Sequence, residues 1–189
     1  MRNWFSLLAA CLFSSCAYSQ PEIERQISVD GCNFNLSDSY SGRIPVDNES
    51  TPHSASYIST INLKARYSFE TWIQFSCENS PGAQTLSDLG GIKKTANGWT
   101  LDTSPNVIGA PGQYTTFHSL QGNGWSGGGI TQDDIEGDEE QRSRIFAFCI
   151  PYRQIAVCGV ARSVGYLKHL NESVLPQIIE LLDRIKFTN

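Results

Sequence analysis

Arg144-Ile145-Phe146-Ala147-Phe148-Cys149-Ile150 and Ile155-Ala156-Val157-Cys158-Gly159-Val160 are two short apolar runs joined by Pro151-Tyr152-Arg153-Gln154. Their length and their β-branched and aromatic content mark them as strands, and the short joint makes them a hairpin. Pairing Cys149 with Cys158 puts Phe146, Phe148 and Ile150 on the same face as Ile155, Val157 and Gly159. A shift of two residues preserves those faces, because side chains alternate along a strand. Both cysteines then lie on the opposite face, close enough for a disulfide.

Upstream, Ala65, Tyr67, Phe69, Thr71, Ile73, Phe75 and Cys77 alternate with more polar residues, which predicts a long half-buried strand. Trp72 falls on its polar face and is expected to pack beneath another segment or to mark a binding face. Ile27 and Val29 meet Asp30-Gly31 and then Cys32, Phe34 and Leu36, a hairpin whose Asp-Gly turn tolerates positive φ. Cys32 shares the face of Phe34, and Cys77 that of Phe75. A Cys32–Cys77 bridge is the economical pairing, although four cysteines permit three connectivities. Residues 45–54 read as a loop, 56–61 as a strand, 90–101 as two short strands around Asn97-Gly98, and 113–120 as a further strand. The segment 121–141 lacks periodicity, is rich in glycine and acids, and is expected to be an exposed loop.

Downstream, Ser173 can cap a helix through Phe187, with Leu175, Ile178, Ile179, Leu182 and Ile185 at helical spacing and Pro176 in the first turn. Antiparallel strands followed by one amphipathic C-terminal helix give an α+β class, the helix covering a sheet face. This ending, two strands and then Leu175-Pro176-Gln177-Ile178-Ile179-Glu180-Leu181-Leu182-Asp183-Arg184-Ile185-Lys186-Phe187, resembles the close of PsbP-like and DcrB-like exported domains. The resemblance covers about 45 residues and is mostly hydrophobic pattern. It implies a sandwich with helices on its sheet and a scaffold or binding role without catalytic residues. The two expected bridges and the Gly-rich acidic segment depart from that pattern.

Residues 1–19 carry Arg2, an apolar stretch from Trp4 to Phe13 and Ala17-Tyr18-Ser19, which predicts a signal peptide cleaved after Ser19 and export to the periplasm. A lipid anchor on Cys16 is the competing reading, and it alone would bring membrane attachment. Residues 20–189 are then a single domain, retaining Cys32, Cys77, Cys149 and Cys158, an even set suited to an oxidising compartment. The formal net charge of −5 and the absence of clustered cations argue against a nucleic-acid partner.

Gly124-Trp125-Ser126-Gly127-Gly128 matches G-x-S-x-G, and an acid among Asp133, Asp134 and Asp138 followed by His169 preserves the order of a hydrolase triad. Three consecutive glycines after Ser126 disfavour the helix that such a turn requires. Gly122–Gly127 also matches G-x-G-x-x-G, without the βαβ setting a nucleotide needs. His53, His118 and His169 stand apart from one another and lack metal-ligand spacing. Residues 133–140 hold six carboxylates in eight positions. Asp134, Glu136 and Asp138 have an alternate spacing that could wrap Ca²⁺, but not the EF-hand pattern, so no cofactor is expected. Such a loop is either a solvated surface segment or a charged guide toward a basic protein partner. Trp125 is either a local core plug or an interface anchor.

A small, exported, acidic, disulfide-bearing chain is similar in general character to the immunity proteins of contact-dependent bacterial toxin systems. That likeness implies a binding protein that occludes the active site of a basic exported enzyme, with Trp125 and Ser126 at the contact and Asp133, Asp134, Glu136 and Asp138 as charge guides. A serine hydrolase using Ser126, and an envelope scaffold or lipoprotein, are the alternatives.

Overall fold

The predicted hairpin of residues 144–160 forms the centre of the molecule. The structure, a computed structural model, describes residues 22–45 and 53–188. The leader, the Cys16 anchor and residues 46–52 of the expected loop lie outside the described residues. In chain order the strands are β1 (Ile23–Val29), β2 (Cys32–Asp38), β3 (Ala55–Ser59), β4 (Thr71–Asn79), β5 (Ile92–Thr95), β6 (Gly98–Leu101), β7 (Thr115–Gly122), β8 (Trp125–Asp133), β9 (Ser143–Tyr152), β10 (Ile155–Tyr166) and β11 (Lys186–Phe187). The helices are α1 (Ala83–Gly90), α2 (Pro105–Ile108) and α3 (Leu175–Asp183).

A six-stranded antiparallel sheet runs β3-β4-β10-β9-β8-β7, a three-stranded sheet runs β1-β2-β11, and β5 pairs with β6. β9 and β10 pair with Cys149 opposite Cys158, the register expected from the apolar faces. Phe146, Phe148, Ile150 and Val157 look into the main core, which they share with Phe34, Leu36, Ile178 and Leu182. Cys149, Ala156 and Cys158 look the other way, under Leu86 and Ile92. Both faces of this hairpin are covered, which is why its strands read as nearly continuous apolar runs.

The two disulfides have different tasks. Cys149–Cys158 crosses one strand pair, with Cα atoms 4.0 Å apart. Cys32–Cys77 ties β2 of the small sheet to β4 of the large one, with Cα atoms 5.7 Å apart. Cys32, Phe34 and Phe75 are buried together, as their shared faces required.

Several expectations change. The segment 121–141 is not one exposed loop, because Trp125–Asp133 is β8, an inner strand between β7 and β9. Its glycines are the cause of the misreading: a Cβ at Gly129 would strike the Ala147 carbonyl, Phe146 and Phe148, and one at Gly127 would strike the Cys149 carbonyl. Neighbouring side chains fill the space above this backbone, so the strand has no side chains there to alternate.

The long strand expected over 65–77 begins only at Thr71. Before it, the backbone N–H groups of Arg66 and Tyr67 donate to the Glu172 carboxylate at 3.2 and 3.3 Å, which holds this stretch off the sheet. Trp72 is 50% exposed and is not packed beneath another segment. The C-terminal helix starts at Leu175, with Val174 at its N-cap position. Ser173 Oγ accepts from the Leu175 N–H at 3.3 Å and donates to the Val164 carbonyl at 2.8 Å. The helix ends before Lys186-Phe187, which joins β2 as a strand. Helix α1 was not expected. It lies over the Cys149–Cys158 bridge and ends at Gly91, whose φ of 64° lets its N–H close the last turn.

Candidate functional site

Strand β8 places the expected site residues at two opposite ends of the molecule. Ser126 lies at its start and Asp134 just past its end, eight residue steps apart, or roughly 26 Å along an extended chain. A single surface combining Trp125 with the acidic loop is therefore corrected to two separate surfaces.

At the first end, Gly122 pairs with Trp125 across a two-residue turn. Trp125 is only 7% exposed and its Nε1–H donates to the Ile185 carbonyl at 2.9 Å. It is the core plug of the two readings, and is too enclosed to anchor a partner. Ser126 is exposed, and its carbonyl and Oγ accept from Trp99 Nε1–H at 2.9 and 3.2 Å. The hairpin ends of β5–β6, β7–β8 and β9–β10 converge here around an open groove of about 760 Å³.

At the second end, Asp133 is 5% exposed and forms a two-pronged ion pair with its cross-strand partner Arg144, at 2.6 Å to Nε and 3.0 Å to Nη2. That carboxylate closes the β8–β9 ladder and is corrected from charge guide to structural clasp. The Asp134 N–H continues the ladder by donating to the Ser143 carbonyl at 2.9 Å. Beyond it the chain makes two tight side-chain turns: Asp134 Oδ1 accepts from the Glu136 N–H at 3.0 Å, and Asp138 Oδ1 from the Glu140 N–H at 3.1 Å. Lys168 reaches Glu140 at 2.5 Å and Glu139 at 3.4 Å, and this hydrogen bonding raises the pKa of the ammonium above its ordinary value. Asp134, Glu136 and Asp138 are exposed.

No protein-family model and no curated protein matches this chain.

The chemistry must accordingly be read from the geometry. His169 stacks on Tyr67 with ring centroids 4.2 Å apart, beside Glu140 and Ser143 at the acidic end. Ser126 is at the other end, so the Ser126, carboxylate and His169 that follow a hydrolase order in sequence are not brought together in space. Gly124–Gly128 is a turn running into a strand, without the strand–turn–helix that would expose a nucleophile. Gly122–Gly127 likewise opens no helix. Among the described residues no three His, Cys, Asp or Glu side chains converge into a metal-holding group.

His118, on β7, is half-buried, its Nε2 3.1 Å from Thr131 Oγ1 on β8. Burial, with the Arg144 charge adding to it, holds this imidazole below its ordinary pKa. Sequence reasoning missed Lys94, Trp99, Tyr152 and Arg153 as groove residues. Each belongs to a different part of the chain or to a turn, so no local spacing joined them.

Proposed function

We propose that the protein is an exported binding protein of the immunity type, which docks on a basic partner enzyme through its acidic β8–β9 loop and occludes the partner's active site. The supporting observation is the loop itself: Asp134, Glu136 and Asp138 are exposed, while the loop is clasped by Asp133–Arg144 at its base and by Lys168 beside Glu139 and Glu140. A charged segment held at both sides loses less conformational entropy on docking, and complementary charge accelerates encounter. The two disulfides suit an oxidising compartment, the periplasm in this reading.

The test compares wild type with the triple variant Asp134→Asn, Glu136→Gln, Asp138→Asn in capture of a partner from source-cell extract, followed by association kinetics. Wild type is expected to retain one basic exported protein at stoichiometric yield. The variant is expected to associate about tenfold more slowly at low salt and with a flatter salt dependence. Identical kinetics would remove the loop from the interface. The alternative, a PsbP-like or DcrB-like envelope scaffold, is favoured by the order β9, β10, α3 at the C-terminal end. It predicts capture that ignores the three acids.

A further inference from the structure

We propose that strand β7 is the interface of a homodimer, pairing antiparallel with β7 of a second copy of this chain about a twofold axis at Phe117. This goes beyond the docking role and rests on different residues. β7 is the last strand of the six-stranded sheet. The Asp133 N–H donates to the Tyr114 carbonyl at 3.3 Å, which sets the phase of the β7–β8 ladder. Antiparallel strands exchange bonds at every second residue, so Thr116, His118 and Leu120 bond to β8, while Thr115, Phe117, Ser119 and Gln121 turn their N–H and C=O groups to the free edge. Gln121 agrees with this phase, since its N–H donates to Asp183 Oδ1 at 3.0 Å. Among the described residues no backbone group pairs with the outward amides of Thr115, Phe117 and Ser119.

The other sheet edges are closed or guarded. β3 is bridged by Arg43, whose N–H and C=O both bond to Ile58, at 2.8 and 2.9 Å. β1 carries Glu24 and Arg25, and β11 is only two residues long, with Lys186 held at 3.1 Å by Glu24. Charges, short length and covering segments are the devices that keep a sheet edge from joining another chain. β7 has none of them. Its eight residues, Thr115–Gly122, include no Lys, Arg, Asp, Glu or Pro and stay in unbroken register with β8. A regular, uncharged, open edge is a template for strand addition.

The pattern on that edge selects a second copy as the occupant. The open residues are spaced symmetrically about Phe117, so a twofold axis there sets Thr115 opposite Ser119 of the second copy and Phe117 opposite its own counterpart. Each such pair is of the kind that exchanges both backbone bonds. Phe117 already packs on the cluster around Cys149 and Cys158, and the axis continues that cluster into the second copy through the paired rings. Asp183 limits the pairing at one end by holding the Gln121 N–H, while Tyr114, 75% exposed, stands at the other. The register sets Tyr114 across from Leu120 of the second copy, which gives that exposed ring a neighbour. Charge agrees as well. β7 brings no like charges to the axis, and antiparallel pairing sends the two acidic loops to opposite corners of the dimer, so a chain of net charge −5 meets its copy without juxtaposing its acids.

The test is sedimentation equilibrium of the oxidised protein from about 1 μM to about 1 mM, with hydrogen exchange of the β7 amides at both extremes. Dimerisation with a Kd of about 10–100 μM is expected, the scale of a small interface. The amides of Thr115, Phe117 and Ser119 should exchange freely in the dilute monomer and be protected in the dimer. Ser119→Pro removes an outward N–H that β8 does not use, and Ser119→Glu puts a charge on the edge. Each should weaken dimerisation by about tenfold or more. Ser119 is exposed, so Ser119→Glu should leave the melting temperature of the dilute monomer unchanged, which separates lost pairing from lost folding. A monomer at about 1 mM would overturn the proposal. So would a dimer that survives both variants or leaves the three amides unprotected, since another surface would then hold it. Protection of those amides only on addition of a different protein would also overturn it, assigning the edge to that protein.

Discussion

Asp38 shows how a single carboxylate organises one edge of the core. It is 1% exposed, yet it accepts from the Tyr57 hydroxyl at 2.7 Å, the Tyr40 N–H at 2.7 Å and the Gly42 N–H at 2.8 Å, with the Arg25 guanidinium 3.5 Å away. Three donors and one cation replace the water that burial removes. Burial first, and then the bond to Asp38 and its charge, push the Tyr57 hydroxyl well above the ordinary phenol range. Tyr57→Phe keeps the ring and removes one donor from a buried carboxylate. It should lower stability by about 1–3 kcal/mol, measured by urea denaturation. His118 makes a pH prediction of definite sign. The unfolded chain takes up a proton near pH 6.5, whereas burial lets the folded state resist it. Stability should therefore fall as pH drops through about 6.5, and stop falling from this cause once the folded imidazole is also protonated. His118→Gln should flatten the melting-temperature profile between about pH 7 and 5; an unaltered slope would remove His118 as its source.

Disulfides act at the scale of elements, and their loop lengths rank them. Cys32–Cys77 spans 45 residues and joins two sheets, whereas Cys149–Cys158 spans 9 and joins strands already paired. Chain-entropy reasoning assigns about 4 kcal/mol to the first and about 2.5 kcal/mol to the second. Replacing each pair by alanine should therefore lower the urea midpoint more for Cys32/Cys77, and the reverse order would mean that the cavity left beneath α1 outweighs loop closure. The same elements explain what the sequence disclosed. The β9–β10 hairpin was legible because Phe146, Phe148, Cys149 and Cys158 occupy two filled faces, so pattern and register coincide. β8 was hidden because Gly127, Gly128 and Gly129 leave no pattern to count, their space being filled by Phe117, Phe146 and Phe148. α1 was hidden because among its side chains only Leu86 and Ser87 are buried, too few to show a helical stripe. At the groove, Ser126 stood out through a hydrolase-like spacing, while the residues around it are assembled by hairpin pairing alone.

For the whole molecule, β8 sets the distance between two surfaces of opposite charge: Lys94 and Arg153 around the groove at one end, Asp134, Glu136 and Asp138 at the other. The β8–β9–β10 part of the sheet between them is a hydrogen-bonded ladder, packed on both faces at the β9–β10 hairpin, which offers no second arrangement to couple the ends mechanically. What remains is the field. Charges roughly 26 Å apart along the strand are separated by about three Debye lengths at physiological salt, but by about one at 0.01 M. Lys94→Gln, at the groove end, should therefore leave the rate at which the acidic loop associates with its basic partner unchanged at 0.15 M salt, where screening removes the long-range term. At about 0.01 M salt the same variant should associate somewhat faster than wild type, since one positive charge fewer repels the partner across the molecule. Stopped-flow association at both salt concentrations measures this directly. A difference persisting at high salt would mean that the groove end and the loop communicate through the sheet, and the ladder would have to be treated as a movable element rather than a fixed spacer.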